Sequence, residues 1–309
     1  MLPTLRQMQY FVALAEQRTF VRAAAACHVT QSTLSAGIRQ FEACLGADLI
    51  DRSGRTLALT QAGQSVLDRS ISILRDAEDL VGHARIAHQP LSGRLRLGVI
   101  PSIAPFLLPR ALPGLRKAHP ELRLHLREDL TAPLMETLRE GRLDAVLIAF
   151  PQNVGDCDSE MIGDDRLLLA LPGDHALAAL AQPVDLLRLR DEPLLLLEDG
   201  HCLREHVLRA LAGAAPSEAD DIRASSMTTL VQMVDNGLGI TLVPQIAADA
   251  GIARGTQLAI VPLAGTEATR QLGVVWRRRS VHAADARALA AFLRGYLAAC
   301  REAAAEVAA

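Results

Sequence analysis

Lysine is almost missing from this chain. Of its 32 basic residues only Lys117 is a lysine, so nearly every cationic contact falls to arginine, whose planar fork donates bidentately to phosphate and to guanine. Long apolar runs are missing as well. No stretch reaches the about 18 uninterrupted apolar residues of a membrane-spanning helix, and the N-terminus has no short basic region followed by an apolar one. The expectation is a cytoplasmic protein with no membrane partner. Cysteine is sparse: Cys27, Cys44, Cys157, Cys202 and Cys300 are odd in number, scattered and without a C-x-x-C pair, which argues against a disulfide scaffold or a zinc ribbon. Cys202 and His206 would share a helical face, but a structural metal normally takes four ligands and no second pair is visible, so no metal site is expected. The chain has no Walker loop, no G-x-S-x-G elbow, no H-E-x-x-H and no dinucleotide fingerprint. No cofactor and no enzymatic activity are expected from it.

What is present is ample for folding. The 309 residues with 50% hydrophobic content suggest two to three packed domains. A net charge of −3 does not announce a nucleic-acid protein, so local pattern has to. Leu5, Met8, Phe11, Val12 and Ala15 recur at helical spacing, Thr19 can cap a second helix, and a turn at Cys27 to Val29 precedes a third capped by Thr30. In that third helix Leu34, Ile38, Phe41 and Leu45 are expected to face inward. Gln31, Ser32, Thr33, Ser35, Arg39 and Glu42 lie on the other faces. Helix, turn and capped helix suggest a helix-turn-helix whose recognition helix enters the major groove N-terminal end first. A plain three-helix bundle with a solvated polar face reads the same pattern. Leu49 to Thr60 reads as two strands around Ser53 and Gly54, a wing in which Arg52 and Arg55 reach DNA or remain surface charges.

A long helical pattern follows from Gln61. Val66, Ser70, Ile73, Ala77, Leu80 and Ala84 alternate by four and three, the spacing of a coiled-coil seam that pairs two subunits. A second row at Leu67, Leu74 and Val81 offers packing within the chain. Pro90 and Gly93 end the helix. The expected division is a winged helix-turn-helix over 1–60, a linker helix over 61–90 and a regulatory domain over 91–309. Within the last, one lobe takes about 91–164 and 271–303 and the other about 165–270. Strands are expected at Arg94 to Ile100, Arg123 to Glu128, Ala145 to Ala149, Leu167 to Leu171, Leu194 to Leu197, Ile222 to Ala224, Ile240 to Val243 and Leu272 to Trp276. Helical patterns alternate with them, which suggests an α/β domain of two parallel-sheet lobes with ligands at strand C-termini.

The stretch LLLLEDGHCLRE, Leu194 to Glu205, concentrates the chemistry. An apolar strand turns through Asp199 and Gly200 and delivers His201 and Cys202 to the start of a helix. Unpaired N–H donors there, with His201, Arg204 and His206 close in sequence, favour thiolate, the form that peroxides attack. A free cysteine packed as a small hydrophobe is the other reading.

The segment MQYFVALAEQRTFVRAAAACHVTQSTLSAGIRQFEACLGADLIDRSGRTLALTQAG resembles the winged helix-turn-helix of LysR-type transcriptional regulators, and the resemblance runs through the whole chain. GVIPSIAPFLLP, LLLLEDGHCLRE and SSMTTLVQMVDNGLGITLVP resemble the peroxide-sensing OxyR subgroup. The resemblance implies a two-lobed regulatory domain like that of periplasmic binding proteins, and a homotetramer built as a dimer of dimers. It implies promoter DNA and RNA polymerase as partners, with hydrogen peroxide as the input. Cys202 matches the reactive cysteine, and Ser102 and Thr131 match two hydroxyls beside its pocket. His201 adjoins the thiol, and Arg277 matches an arginine that favours the thiolate. The bland alternatives are a helix cap for Ser102, a turn residue for His201 and surface charge for Arg277. One departure stands out: the subgroup's resolving cysteine is expected nine residues after the first, where this chain has Leu211. Oxidised Cys202 then persists as a sulfenate, forms a mixed disulfide with a small thiol, or pairs with Cys157 or Cys300. A LysR-type regulator of an organic effector and a thiol peroxidase are the competing functions.

Overall fold

The computed structural model describes residues 2–51, 57–85, 89–179, 183–212, 217–265 and 268–308. Two compact units emerge, one of residues 1–89 with 140–142 and one of residues 90–139 with 143–309.

In the first unit α1 (Leu5–Gln17), α2 (Phe20–Ala26) and α3 (Gln31–Leu45) each begin at a threonine whose hydroxyl accepts a backbone N–H of the first turn. Thr4, Thr19 and Thr30 are those caps, and Thr4 forms a full capping box with Gln7. Capping satisfies donors that a helix leaves unpaired, and so fixes where each helix starts. Their apolar stripes meet in a core of Met8, Phe11, Leu14, Leu34, Ile38 and Phe41, with the Phe11 and Phe41 ring centroids 5.7 Å apart. Gly37 lets α1 and α3 approach, since a Cβ there would lie 2.6 Å from Tyr10 Cδ2. Two positions depart from the helical pattern. Leu45, the last residue of α3, is exposed, and Glu42 is buried, its carboxylate accepting the Leu49 and Ile50 N–H groups at 3.0 and 3.3 Å. Glu42 therefore ties α3 to β1 (Ile50–Asp51), which pairs antiparallel with β2 (Ala58–Leu59). Arg52 and Arg55 lie outside the described residues.

α4 (Gln61–Arg85) follows. Val66, Leu67 and Leu74 pack on the core of this unit and Ser70 is buried, whereas Ile73 and Leu80 are exposed at 41% and 70%. Both apolar rows thus contribute to packing within the chain, and part of the heptad seam is left uncovered.

The second unit runs β3 (Arg94–Val99), α5 (Ala104–Ala118), β4 (Arg123–Glu128), α6 (Thr131–Arg139), β5 (Ala145–Phe150), β6 (Cys157–Pro172), β7 (Pro193–Leu197), α7 (Cys202–Ala210), β8 (Ser217–Ala224), α8 (Met227–Asp235), β9 (Thr241–Pro244), α9 (Gln245–Asp249), β10 (Leu258–Val261), β11 (Thr269–Arg277) and α10 (Ala283–Ala308). The seven-stranded sheet is mixed and only the small β7–β8 sheet is parallel, which corrects the expectation of two parallel ones. β3 pairs parallel with β4 and β5, and β7 with β8. β11 is antiparallel to β5 and β6, and β6 is antiparallel to β9 and β10. The cause is β6, 16 residues long. Its first half pairs with β11 and its second half with β9 and β10, so one strand serves both lobes. That first half, CDSEMIGDDR, carries charges where a buried strand would carry valine or isoleucine, which hides it from a hydrophobic pattern search.

Candidate functional site

Three strands of the second unit end at one recess. β3 runs out into Ile100-Pro101-Ser102, β4 leads to Leu130 and Thr131, and β7 turns through Asp199 and Gly200 into His201 and Cys202. Strand C-termini of an α/β sheet are where ligand crevices form, because the following loops and helix N-termini converge there. Gly200 has φ +93°, a left-handed conformation that side chains resist, and a Cβ would lie 3.1 Å from Leu130 Cδ1. Glycine thus permits both the turn and its close approach to Leu130. The recess holds about 180 Å³ of non-protein space, open solvent at its mouth included, and is no roomier than one water-sized molecule needs.

Cys202 is the first residue of α7, with His201 at the N-cap. The thiol is pushed up from the ordinary cysteine value. Burial is the largest cause and the Glu205 carboxylate adds to it, while the charge of Arg270, the Thr131 hydroxyl and the peptide N–H of Cys202 itself pull the other way. The helix start does favour thiolate, as its exposed N–H donors require, but desolvation outweighs it. The reduced site holds a thiol. Neither neighbouring histidine supplies positive charge: burial lowers His201, and His206 is lowered to about 4 by burial first and then by Arg270. His206 Nε2 lies 3.1 Å from the Phe150 carbonyl oxygen, and with a single proton on the ring Nε2 is the donor. Arg204 is bound to Asp199 at 3.1 Å.

The cation that acts on the thiol is Arg270, fully buried on β11. Its Nε donates to Asp165 Oδ2 at 3.0 Å, Nη1 to Ser102 Oγ at 2.7 Å, and Nη2 to the Ser102 carbonyl at 3.1 Å. Ser102 is therefore not a helix cap. Ile103 holds that position, without a side-chain bond. Thr131 is buried at 5% exposure, and its Oγ1 has no hydrogen-bond partner of full geometry among the described residues, the Cys202 thiol being the group its hydroxyl acts on. A dry, unpaired hydroxyl costs about 1–3 kcal/mol, so one facing a recess is an open invitation to a small polar ligand.

At the other end of the chain, the start of α3 presents a cluster of hydroxyls. Thr30 Oγ1 is 2.9 Å from Ser32 Oγ and 2.8 Å from Thr33 Oγ1, and it accepts the Thr33 N–H. Gln31, Ser32, Thr33 and Arg39 are exposed and Ser35 is half-buried.

Comparison with known proteins fixes what carries these sites. Residues 5–64 match the family model of bacterial regulatory helix-turn-helix proteins of the lysR family, and residues 88–298 match the LysR substrate binding domain. The chain belongs to the LysR family. Within it the chain falls in the OxyR group. It is 39% identical over 279 residues to a probable hydrogen peroxide-inducible genes activator of Mycobacterium avium, covering 90% of this chain and 89% of that one. Full-length OxyR of Pseudomonas aeruginosa superposes with a TM-score of 0.76 at 30% identity, covering 95% of each chain. A cysteine-to-serine OxyR mutant of Corynebacterium glutamicum, bound to H2O2, gives 0.68 at 33% identity over 100% of this chain and 97% of that one.

For this LysR protein the geometry overturns one sequence assignment. Arg277 does not serve Cys202. Its Nη1 donates to the Leu138 and Leu143 carbonyls at 2.6 and 2.8 Å, around the end of α6, and its residue pairs across strands with Cys157, whose thiol its charge helps to lower against a dominant rise from burial. Arg270 is the arginine whose charge opposes the rise of the Cys202 thiol. The signal was present: Arg270 stands two residues before Leu272 and four before Val274 on the inward-facing side of β11, where an arginine needs a buried partner. That partner, Asp165, lies 105 residues earlier, so the sequence around Arg270 does not reveal it. Leu211 is buried at 1% and closes α7, its N–H donating to the Val207 carbonyl at 3.0 Å. Neither Cys157 nor Cys300 lines the recess.

Proposed function

We propose that this protein is a cytoplasmic, hydrogen-peroxide-responsive transcription regulator, without enzymatic activity, that acts through Cys202 alone. The observation that carries the reading is the recess: a thiol at a helix N-terminus opens into space for one water-sized molecule beside the Ser102 and Thr131 hydroxyls, with the Arg270 guanidinium bonded to Ser102 behind it. An organic effector needs a pocket of about 300–1,000 Å³. Peroxide is little larger than water. The thiol proton leaves to solvent, the sulfur attacks one peroxide oxygen, the O–O bond breaks and hydroxide departs to become water. Sulfur is oxidised by two electrons to a sulfenic acid and peroxide is reduced. Thr131 and the Ser102 O–H donate to the peroxide oxygens, His201 in neutral form walls the entrance, and Arg270 stabilises the anionic sulfur.

The output end is promoter DNA. Gln31, Ser32, Thr33 and Ser35 at the start of α3 face base edges or phosphates, while Arg39, Arg52 and Arg55 neutralise the backbone. Two such helices, held roughly 34 Å apart by paired linker helices, read two half-sites. The exposed Ile73 and Leu80 of the seam support that pairing. The assembly is a homotetramer, a dimer of dimers, and RNA polymerase is its partner at the promoter. The functional division is 1–60 for DNA, 61–90 for dimerisation and 91–309 for sensing. The test is peptide mass spectrometry after one equivalent of peroxide, beside footprints of wild type and Cys202→Ser. Cys202 should oxidise ahead of the other four cysteines and the wild-type footprint alone should change. Equal oxidation of all five with identical footprints would sink the reading.

A further inference from the structure

We propose that Asp165 is a positioning residue for the sensor thiol: it competes with the Cys202 sulfur for the single Arg270 guanidinium, so the reactivity of the thiol is set from β6. This rests on the peroxide reading above and specifies how the site is tuned.

The geometry is a buried contest for one cation. Asp165 and Arg270 are both at 0% side-chain exposure, and Asp165 Oδ2 sits 3.0 Å from Nε and 2.9 Å from Nη2. Asp165 Oδ1 accepts the Ile246 N–H at 3.1 Å, which fixes the carboxylate at the start of α9. With Nη1 and Nη2 also donating to Ser102 Oγ and O, the arginine is fixed between its carboxylate and a residue that borders the Cys202 recess. Nη1 has a second N–H, and no described residue takes it. A guanidinium carries five N–H groups, so the same arginine can serve Asp165 and still turn one donor toward sulfur. The field of an arginine with a contact carboxylate is that of a dipole, weaker at the thiol than that of a free cation. Burial supplies the rest: it pushes both Asp165 and Cys202 toward their neutral forms, and Arg270 opposes it at each. Whichever of the two is anionic takes the larger share of the cation. When Cys202 loses its proton or is oxidised to a sulfenate, the pull on Arg270 shifts toward sulfur and away from Asp165 and Ser102. Other charges around the pair are few. Glu205 acts on Cys202, Asp249 acts on Asp165, and His201 and His206 are lowered toward their neutral forms.

The test reads Cys202 acidity without peroxide. Full-length protein is alkylated with iodoacetamide across pH 5 to 10 and the Cys202 peptide is followed by mass spectrometry. Asp165→Asn frees the cation, so the alkylation midpoint should fall by at least about one pH unit, about tenfold in rate at pH 7. In the Arg270→Met background the same substitution should leave the midpoint unmoved, because Asp165 acts only through Arg270. Asp165→Asn leaves a buried guanidinium uncompensated and is expected to destabilise the fold. Asp165→Glu keeps the charge while displacing the carboxylate, and should move the midpoint in a protein that unfolds cooperatively. Midpoints unchanged in Asp165→Asn and Asp165→Glu, or a shift that persists without Arg270, overturn the proposal. Peroxide oxidation of the wild type, run in parallel, separates the two ideas: an inert Cys202 removes the sensing reading and leaves the alkylation result to stand or fall alone.

Discussion

Installing a second thiol on α7 tests whether that helix has to open before a local disulfide can form. Leu211→Cys places a thiol nine residues after Cys202, with α7 between them. At 1.5 Å per residue the two Cα atoms are about 13 Å apart along the helix axis, against the roughly 7 Å limit for a disulfide. The bond therefore demands that α7 unwind and that Leu203 and Val207, buried at 1% and 2%, leave the core. Losing their burial costs about 1.5–3 kcal/mol each, or about 3–6 kcal/mol together. At about 1.4 kcal/mol per factor of ten the open form is populated at roughly one part in a hundred to one in ten thousand. In native buffer Leu211→Cys should accumulate sulfenate, trapped by a dimedone-type reagent. Its bond between the Cys202 sulfur and the introduced thiol should form about 10² to 10⁴ times more slowly, by these same figures, than in the urea-unfolded chain. Quenched-flow alkylation and mass spectrometry give both rates. Disulfide formation at the unfolded-chain rate, with α7 amides still protected from exchange, would refute the argument.

Three further outcomes follow from the geometry. Arg277→Met should leave the Cys202 alkylation profile within a few tenths of a pH unit of wild type and lower stability by about 2 kcal/mol, because two carbonyls lose a charged donor; urea unfolding measures it. Glu42→Ala removes the one oxygen that accepts both the Leu49 and Ile50 N–H groups, so DNA affinity should weaken by about 1–2 kcal/mol while Cys202 oxidation is untouched; fluorescence anisotropy with operator DNA reads the first and mass spectrometry the second. His206, lowered to about 4 from 6.5, binds more protons unfolded than folded between those values. Its contribution to stability is complete above pH 6.5 and is lost as pH falls toward 4, up to roughly 3 kcal/mol. Denaturation midpoints measured from pH 4 to 8 should show this slope in wild type and lose most of it in His206→Phe.

The helical half of the protein was legible because its signals are local. Threonine caps three residues from the N–H they serve, and apolar stripes at 3.6 spacing, mark α1 to α3 without reference to the rest of the chain. Leu45 and Glu42 escape the same logic, since the wing decides what faces the end of α3. Cys202, Ser102, Thr131 and His201 come together at one recess because each follows a strand end, a position that alternation and turn residues reveal. The arginine was harder. Arg277 stands conspicuously beside Arg278 and Arg279 at the end of β11, whereas Arg270 hides in the alternation of the same strand and is fixed by a carboxylate more than a hundred residues distant. Periodicity shows which face a residue occupies. It does not show which charges share that face in the folded molecule.

The size of the recess bears on how the signal ends. Walls that admit one water-sized molecule also hold back a tripeptide thiol, which is the size of reductant a cell offers to a sulfenate. Under the proposed reading, entry of the oxidant and entry of the reductant then have different requirements, and loosening of α7 is the opening that would admit the larger one. Under the sulfenate signal proposed above, a mutation in the packing of Leu203 or Val207 would act as a clock adjustment, shortening the memory of an oxidative pulse while leaving the initial response unaltered.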